Sequence, residues 1–385
     1  MRDTPLILIV DDDDSGLDIL QARLSAQNYD FISATDGEMA LAMVEERQPD
    51  LILLDVMMPK IDGIEVCQRV KSNSELPFIP IIMVTAKTDS RDIVAGLDAG
   101  ADEYLTKPYS HSALVARVKS MLRIKFLHDQ VLEQSDQLEH QLKTATTIQS
   151  LFWPKLPSLK GGGHVWAVSV PAGYVGGDLY DVIPLPDGSL VAYVADISGK
   201  GVPAALLMAA LSTTIRSEIQ IETEIDRLLE SVNASMYRLM AGEGYFATAV
   251  LIRYWPSSGK LQYALAGHLQ PLWMVDGGIS ELHLPGGVPL GVQKGATFRK
   301  AEIFLKSGQS VLLFTDGLVE AENESGEQFA KDRLMDFLKR CGGPPWGQRM
   351  LQRIEAWRGG CAANDDLTVL EVWRDQTQTG PDYDI

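Results

Sequence analysis

From Leu6 to about Leu122 the chain alternates unbroken apolar runs with amphipathic stretches, and few folds accommodate that order. LILIV precedes Gly16–Ala26, FISA precedes Met39–Glu46, then LILLD and IIMVT follow, with Ile93–Ala99 and a closing segment from Ser110 to Leu122. Strands that are apolar on both faces belong to a parallel sheet covered by helices on each side. The expected fold is therefore an open α/β sheet, whose ligands bind outside the carboxyl ends of the strands. Polar residues stand at those ends: Asp11 to Asp14 after the first run, Asp55 ending the third, Thr85 ending the fourth and Lys107 after the fifth. Carboxylates and an ammonium group meeting in one crevice suit a divalent cation that holds a phosphoryl group, because a hard cation takes carboxylate and phosphate oxygens together. One such aspartate alone would be an ordinary loop or cap residue, but four occupied strand ends are not.

The length of 385 residues calls for two domains and a connector rather than one core. With 34 basic against 52 acidic residues the net charge is −18, and no clustered basic surface offers itself to nucleic acid. No apolar run approaches the roughly 18 residues of a membrane helix, and the start lacks a signal-peptide layout, so a cytoplasmic protein without a membrane partner is expected. Cys67, Cys341 and Cys361 form no metal-type pair and are read as unbridged thiols of a reducing compartment.

The segments IVDDD (9–13), LLDVMMPKIDG (53–63), VTA (84–86) and YLTKP (104–108) resemble the receiver domain of two-component response regulators. The resemblance spans residues 1–122 and implies a doubly wound, flavodoxin-like α/β fold. It implies Asp55 as the phosphoacceptor, with a histidine kinase as the cognate partner. Asp12 and Asp55 would ligate Mg²⁺ with Asp11 in support, and the Met57 carbonyl would complete the protein ligands. Thr85 and Lys107 would contact the phosphoryl group, Tyr104 would change rotamer with Thr85, and Lys107–Pro108 would be cis. A carboxylate is a weak nucleophile, but a metal that neutralises the incoming charge lets it form an acyl phosphate.

From Val118 to Phe152 the chain has no proline or glycine and is rich in Gln, Glu, Leu and Lys, so it should be helical. Ile124, Val131, Leu138, Ala145 and Phe152 recur every seven positions, flanked by Leu127, Leu142 and Ile148. Gln134, Ser135 and Gln141 make the second seam polar, which describes a weak coiled coil and favours a homodimer over a helix folded back on one domain. The linker is assigned to 123–152 and should stop at Pro154 and Pro157.

Beyond Gly161 to Gly163 the texture becomes one of strands: HVWAVSV, LYDVIPL, SLVAYVADI, FATAVLIRYW, KLQYALAG, LWMVDG and SVLLFTDG. The turn pairs Asp187–Gly188, Ser258–Gly259 and Asp276–Gly277 predict antiparallel hairpins. Helices are expected at Val202–Ser217, Glu224–Met240 and Asp332–Lys339, giving an α+β layered β-sandwich over 153–375 and a tail at 376–385. Aspartates mark the segment ends here too: Asp178 in GGD, Asp196 in VADISGKG, Asp316 in FTDG, and Asp365 with Asp366 in NDDLTV. A buried carboxylate is costly unless it is paired or bound to metal. No histidine or cysteine cluster accompanies them, so the expected cation is Mn²⁺ or Mg²⁺ rather than Zn²⁺.

GGDLYDV (176–182), DISGKGVPAALLM (196–208), AGHLQPLWM (266–274), GVPLGV (287–292), LLFTDGLVEAEN (312–323) and DDLTVL (365–370) resemble the bacterial PPM-type protein phosphatases, in the branch of the sporulation and stress-response enzymes. The resemblance runs from about 145 to 374 and includes the entry AxxIQxxLxPxxP at 145–157, from which Phe152–Trp153–Pro154 departs modestly. It implies that Asp178, Asp196, Asp316 and Asp365 ligate two Mn²⁺ or Mg²⁺ ions, with the Ile197 carbonyl adding an oxygen. Asp365 is preferred to Asp366 by its place at the start of the motif, and His268 is expected to be structural rather than a general acid. The implied substrate is a phosphoserine or phosphothreonine protein, an antagonist of an anti-sigma factor. The chain is thus expected to be a response regulator whose phosphatase output is gated at Asp55. The rival reading is a catalytically silent adaptor that binds a sigma-factor-system partner.

Overall fold

A computed structural model describes residues 4–86, 90–275, 278–285, 287–341 and 343–375, so the Asp276–Gly277 turn and the 376–385 tail lie outside the described residues. The chain divides into two compact units, Met1–Glu139 and His140–Ile385.

The first unit carries a parallel sheet of β1 (Leu6–Val10), β2 (Asp30–Ala34), β3 (Leu51–Asp55), β4 (Ile81–Thr85) and β5 (Glu103–Thr106), in the order β2-β1-β3-β4-β5. Every residue of β1, β3 and β4 is buried. Leu8, Val10, Ile52 and Leu54 enter one core while Ile7, Ile9, Leu51 and Leu53 enter the other, the period-two alternation of a sheet covered on both faces. The helices are α1 (Asp14–Leu24), α2 (Gly37–Arg47), α3 (Gly63–Ser72), α4 (Ser90–Asp98) and α5 (His111–Gln149). The run of four aspartates divides its work, because the Asp13 side chain caps α1 by accepting the Ser15 N–H and Asp14 begins that helix. Asp11 and Asp12 are left for the crevice.

The closing helix and the connector, read as separate segments from the sequence, are one 39-residue helix, α5. Nothing between them breaks the hydrogen-bond ladder, since neither proline nor glycine intervenes. Of the seven-residue repeat, Ile124, Val131 and Leu138 are exposed. The helix ends at Gln149, and a 3₁₀ turn (Ser150–Phe152) leads to Trp153, which is extended as the residue before a proline prefers to be.

The second unit has two antiparallel sheets. One holds β7 (Leu179–Pro184), β8 (Leu190–Ile197), β9 (Ala247–Trp255), β10 (Lys260–Ala266) and β13 (Lys300–Phe304). The other holds β6 (Gly163–Val170), β11 (Leu272–Val275), β12 (Gly278–Glu281), β14 (Ser310–Phe314) and β15 (Leu367–Arg374). Val194, Ile252 and Leu261 of the first meet Val311, Leu313 and Leu370 of the second in the inter-sheet core. The outer face of the first sheet packs on α6 (Gly201–Glu218) and α7 (Ile225–Met240), and that of the second on α8 (Ala330–Arg340) and α9 (Gly347–Arg358). The expected layered sandwich is present. Sequence reading found neither α9 nor the strands β12, β13 and β15. The cap of α9 is remote in sequence, because the buried Glu371 accepts the N–H groups of Trp346 and Gly347 at 2.8 and 3.2 Å. A carboxylate there also complements the helix dipole.

Candidate functional site

In the first unit the strand ends bring together the residues the sequence singled out. Lys107 Nζ lies 2.8 Å from Asp11 Oδ2 and 2.7 Å from Asp55 Oδ2. Asp11, Asp12 and Asp55 offer ligand oxygens that all lie within 4.8 Å of one another. Asp11 and Asp55 are buried and Asp12 is exposed, an arrangement open on the side where a phosphodonor would approach. Asp55 Oδ1 accepts the Met57 N–H at 3.1 Å, which anchors the backbone of the residue expected to lend its carbonyl. Two glycines make room: a Cβ at Gly16 would fall 2.5 Å from Asp11 Oδ2, and one at Gly63 would fall 2.1 Å from the Asp55 carbonyl oxygen. Burial pulls the Lys107 pKa down, but hydrogen bonds to Asp11 and Asp55 outweigh it and hold the ammonium at about 12. Thr85 is buried at the end of β4, and it lines a small pocket with Tyr104, Val56 and Met83. Lys107–Pro108 is cis, as expected. Oxygen donors at this spacing fit a hard divalent cation.

In the second unit antiparallel pairing does the gathering. Asp178 immediately precedes β7 and Asp196 lies at the end of β8, and these neighbouring strands pair Leu179 with Ala195. Asp316 follows β14 and Asp365 precedes β15, which are again paired neighbours. Each sheet thus delivers two carboxylates to one end of the sandwich. Thr315 joins the sheets, donating its hydroxyl to Asp178 Oδ2 at 2.7 Å while its oxygen accepts the Thr368 N–H at 2.9 Å. Burial, then the charge of Asp196, raises the Asp178 pKa well above the carboxylate range. Burial, followed by the charges of Asp316 and Asp365, raises Asp196 to about 7. Asp316 is raised by burial and by Asp365. The Ile197 carbonyl faces Gly177, where a Cβ would come within 2.9 Å of it.

Buried carboxylates that repel one another, with oxygen donors and no soft ligands, fit hard divalent cations. Among the described residues, no three of these carboxylates close to the spacing of the receiver trio.

The adjacent aspartates separate by role of contact. Asp366 is engaged by backbone, accepting the N–H groups of Ala172 at 2.8 Å, Gly177 at 2.7 Å and Asp178 at 3.4 Å. Asp365 faces Asp196, Asp316 and Lys200, whose Nζ lies 3.0 Å from Asp365 Oδ2, and the charge of Asp366 also acts on Asp196 and Lys200. His268 has both ring nitrogens occupied: Nε2–H donates to the Phe314 carbonyl at 3.1 Å and Nδ1 accepts the Thr248 hydroxyl at 2.7 Å. Burial lowers its pKa to about 4, although the Phe314 bond opposes this, so the ring is neutral and braces two strands. Sequence reasoning did not single out Lys200, Thr315 or Glu320. Lys200 and Thr315 sit inside the quoted motifs DISGKG and FTDG, which was the available signal. Glu320 lies in the same quoted stretch LLFTDGLVEAEN, and its burial and the charges of Asp316 and Asp365 raise its pKa.

These shifts have a consequence for the metal-free protein. A carboxyl group whose folded pKa lies above its unfolded value holds its proton more tightly when folded, so stability falls as pH rises from about 4 to about 7. Each tenfold difference in proton affinity is worth about 1.4 kcal/mol. The chelator-treated chain should melt at a lower temperature at pH 8 than at pH 5, Mn²⁺ should reverse the loss, and Asp196→Asn should narrow the gap. Thermal unfolding of both proteins at the two pH values, with and without Mn²⁺, checks this.

Residues 7–119 match the response regulator receiver domain family, and residues 186–375 match the Stage II sporulation protein E (SpoIIE) family. Over 117 residues the chain is 52% identical to the alkaline phosphatase synthesis transcriptional regulatory protein PhoP of Bacillus subtilis, covering 30% of this chain and 48% of PhoP. It is 46% identical over 117 residues to the DNA-binding response regulator MtrA of Mycolicibacterium smegmatis, covering 30% of this chain and 50% of MtrA. The chain spans about half the length of these curated relatives. Among solved structures, the SiaA-PP2C domain of Pseudomonas aeruginosa aligns with a TM-score of 0.55 at 23% identity, covering 63% of this chain and 99% of that one, which shows a common fold. Residues 7–119 form a response regulator receiver domain and residues 186–375 a SpoIIE-type PPM phosphatase domain.

Proposed function

We propose that the chain is a metal-dependent protein serine/threonine phosphatase whose output is gated by phosphorylation of Asp55. The observation that carries the reading is the set of mutually repelling carboxylates, Asp178, Asp196, Asp316 and Asp365, delivered pairwise by two sheets to one end of the sandwich. Together with the Ile197 carbonyl they would hold two Mn²⁺ or Mg²⁺ ions. When bound, such a pair supplies a water of lowered pKa and Lewis acidity toward a phosphate monoester. Thr315 steadies Asp178, Asp366 holds the backbone that carries it, and Lys200 places a positive charge at the rim for a phosphate dianion.

In the receiver, residues 1–122, Asp11, Asp12, Asp55 and the Met57 carbonyl would hold Mg²⁺. A histidine kinase would donate the phosphoryl group, Thr85 and Lys107 would contact it, and Tyr104 would follow Thr85. The proposed linker at 123–152 takes in α5 from residue 123 to Gln149 and the 3₁₀ turn after it, and the exposed Ile124, Val131 and Leu138 of α5 support pairing with a second copy. The proposed catalytic domain is 153–375. The substrate of this branch is a phosphorylated antagonist of an anti-sigma factor, in a cytoplasmic partner-switching system.

Mn²⁺-dependent hydrolysis of a phosphoserine peptide by the full chain, with and without beryllofluoride as a mimic of phospho-Asp55, tests the reading. Turnover that needs metal and changes with beryllofluoride is expected. A folded, metal-loaded chain without turnover in either state would replace the enzyme by the silent adaptor.

A further inference from the structure

The last turn of α5 reaches the backbone that carries Asp178. Gln149 closes the helix, is 5% exposed, and uses both ends of its amide on one residue. Its Nε2 donates to the Gly176 carbonyl at 2.6 Å, and its Oε1 accepts the Gly176 N–H at 3.1 Å. Thr146, one turn earlier on the same face, donates its hydroxyl to the Tyr174 carbonyl. From the other side Asp366 takes the N–H groups of Ala172, Gly177 and Asp178. The segment 172–178 is therefore held between a helix end and a carboxylate, and it terminates in Asp178. It has little lateral freedom, because a Cβ at Gly176 would lie 2.1 Å from Asp366 Oδ2.

A buried side-chain amide with both ends satisfied by the N–H and C=O of one residue specifies position as well as satisfying polar groups. Groups that orient a metal ligand without touching the metal set its affinity. We infer that Gln149 is a positioning residue for cation binding at Asp178, fixing the Gly176 peptide and through it the direction of the Asp178 carboxylate. The inference rests on the phosphatase reading. It gives α5, the helix that leaves the receiver, a defined point of leverage on that carboxylate.

The test uses the full chain on an Asp12→Ala, Asp55→Ala background, so that the receiver trio contributes no metal binding. Mn²⁺ binding is followed by electron paramagnetic resonance, and phosphopeptide hydrolysis is measured against Mn²⁺ concentration. Gln149→Ala should raise the Mn²⁺ concentration for half-occupancy by about 10- to 100-fold, the range for partners that orient a ligand. The half-saturating Mn²⁺ for turnover should move in parallel, with kcat at saturating Mn²⁺ nearly unchanged. A purely structural role would lower kcat through loss of folded protein and leave the metal dependence of the remainder alone. Should Gln149→Ala not fold, Gln149→Glu carries the same test, because it keeps the acceptor for the Gly176 N–H but cannot donate to the Gly176 carbonyl. A folded variant with wild-type Mn²⁺ affinity overturns the inference while leaving the enzyme intact. Absence of Mn²⁺ binding in the Gln149-containing parent would instead overturn the phosphatase reading.

Discussion

Asp196→Asn is expected to lower Mn²⁺-dependent turnover by at least ~100-fold, the upper end of what losing a mere orienting partner costs a metal site. Asp196 is the carboxylate common to both halves of the site: it interacts with Asp178 from its own sheet and with Asp316 and Asp365 from the other. An amide of the same shape keeps the packing at the end of β8 but removes one anionic oxygen from a place where two cations would share it. The fold should persist, because the substitution relieves repulsion among buried charges rather than opening a cavity. Equal yields and circular dichroism, with hydrolysis of a phosphoserine peptide reduced to background, are the expected results. A variant that folds and turns over at the wild-type rate would remove Asp196 from the metal site.

Asp55→Ala should eliminate labelling by radioactive acetyl phosphate. Asp55 is buried at the end of β3, with Lys107 Nζ 2.7 Å from one carboxylate oxygen and the Met57 N–H on the other. The ammonium and a divalent cation held by Asp11 and Asp12 would together offset the charge of an incoming phosphoryl group. The variant leaves the Lys107–Asp11 pair in place, so the crevice keeps its other ion pair while losing its nucleophile. A base-labile, acid-stable label on wild type and none on Asp55→Ala is the expected pattern. Label that survives the substitution would move the site to another carboxylate.

Much of this architecture was legible because it rests on local patterning. Continuous apolar runs such as LILIV and LILLD can be satisfied only by a sheet covered on both faces, and Asp-Gly or Ser-Gly pairs between alternating strands announce hairpins. The candidate ligands could be picked out because a carboxylate set directly against an apolar strand is costly without a counter-charge. The absence of proline and glycine between Val118 and Phe152 announced a helix, although not that it would continue without a break from the last receiver helix.

What only the tertiary structure decided depends on partners distant along the chain. The helix α9 takes its cap from Glu371, and Asp366 accepts the N–H groups of Ala172, Gly177 and Asp178, nearly 200 residues earlier. The receiver resemblance had already set Asp11 and Asp12 apart, and the start of α1 gives Asp13 and Asp14 their own work, as a cap and as the first helix residue. The role of Gln149 was invisible for the same reason: within the helix sequence it is one more polar residue, and only the approach of the Gly176 backbone gives its amide both a donor and an acceptor to meet. Periodicity and residue chemistry are written along the chain and determined the two folds and their acidic residues. Which polar atoms pair is decided by the approach of segments remote in sequence, where burial makes every unpaired donor or acceptor costly and so selects one arrangement.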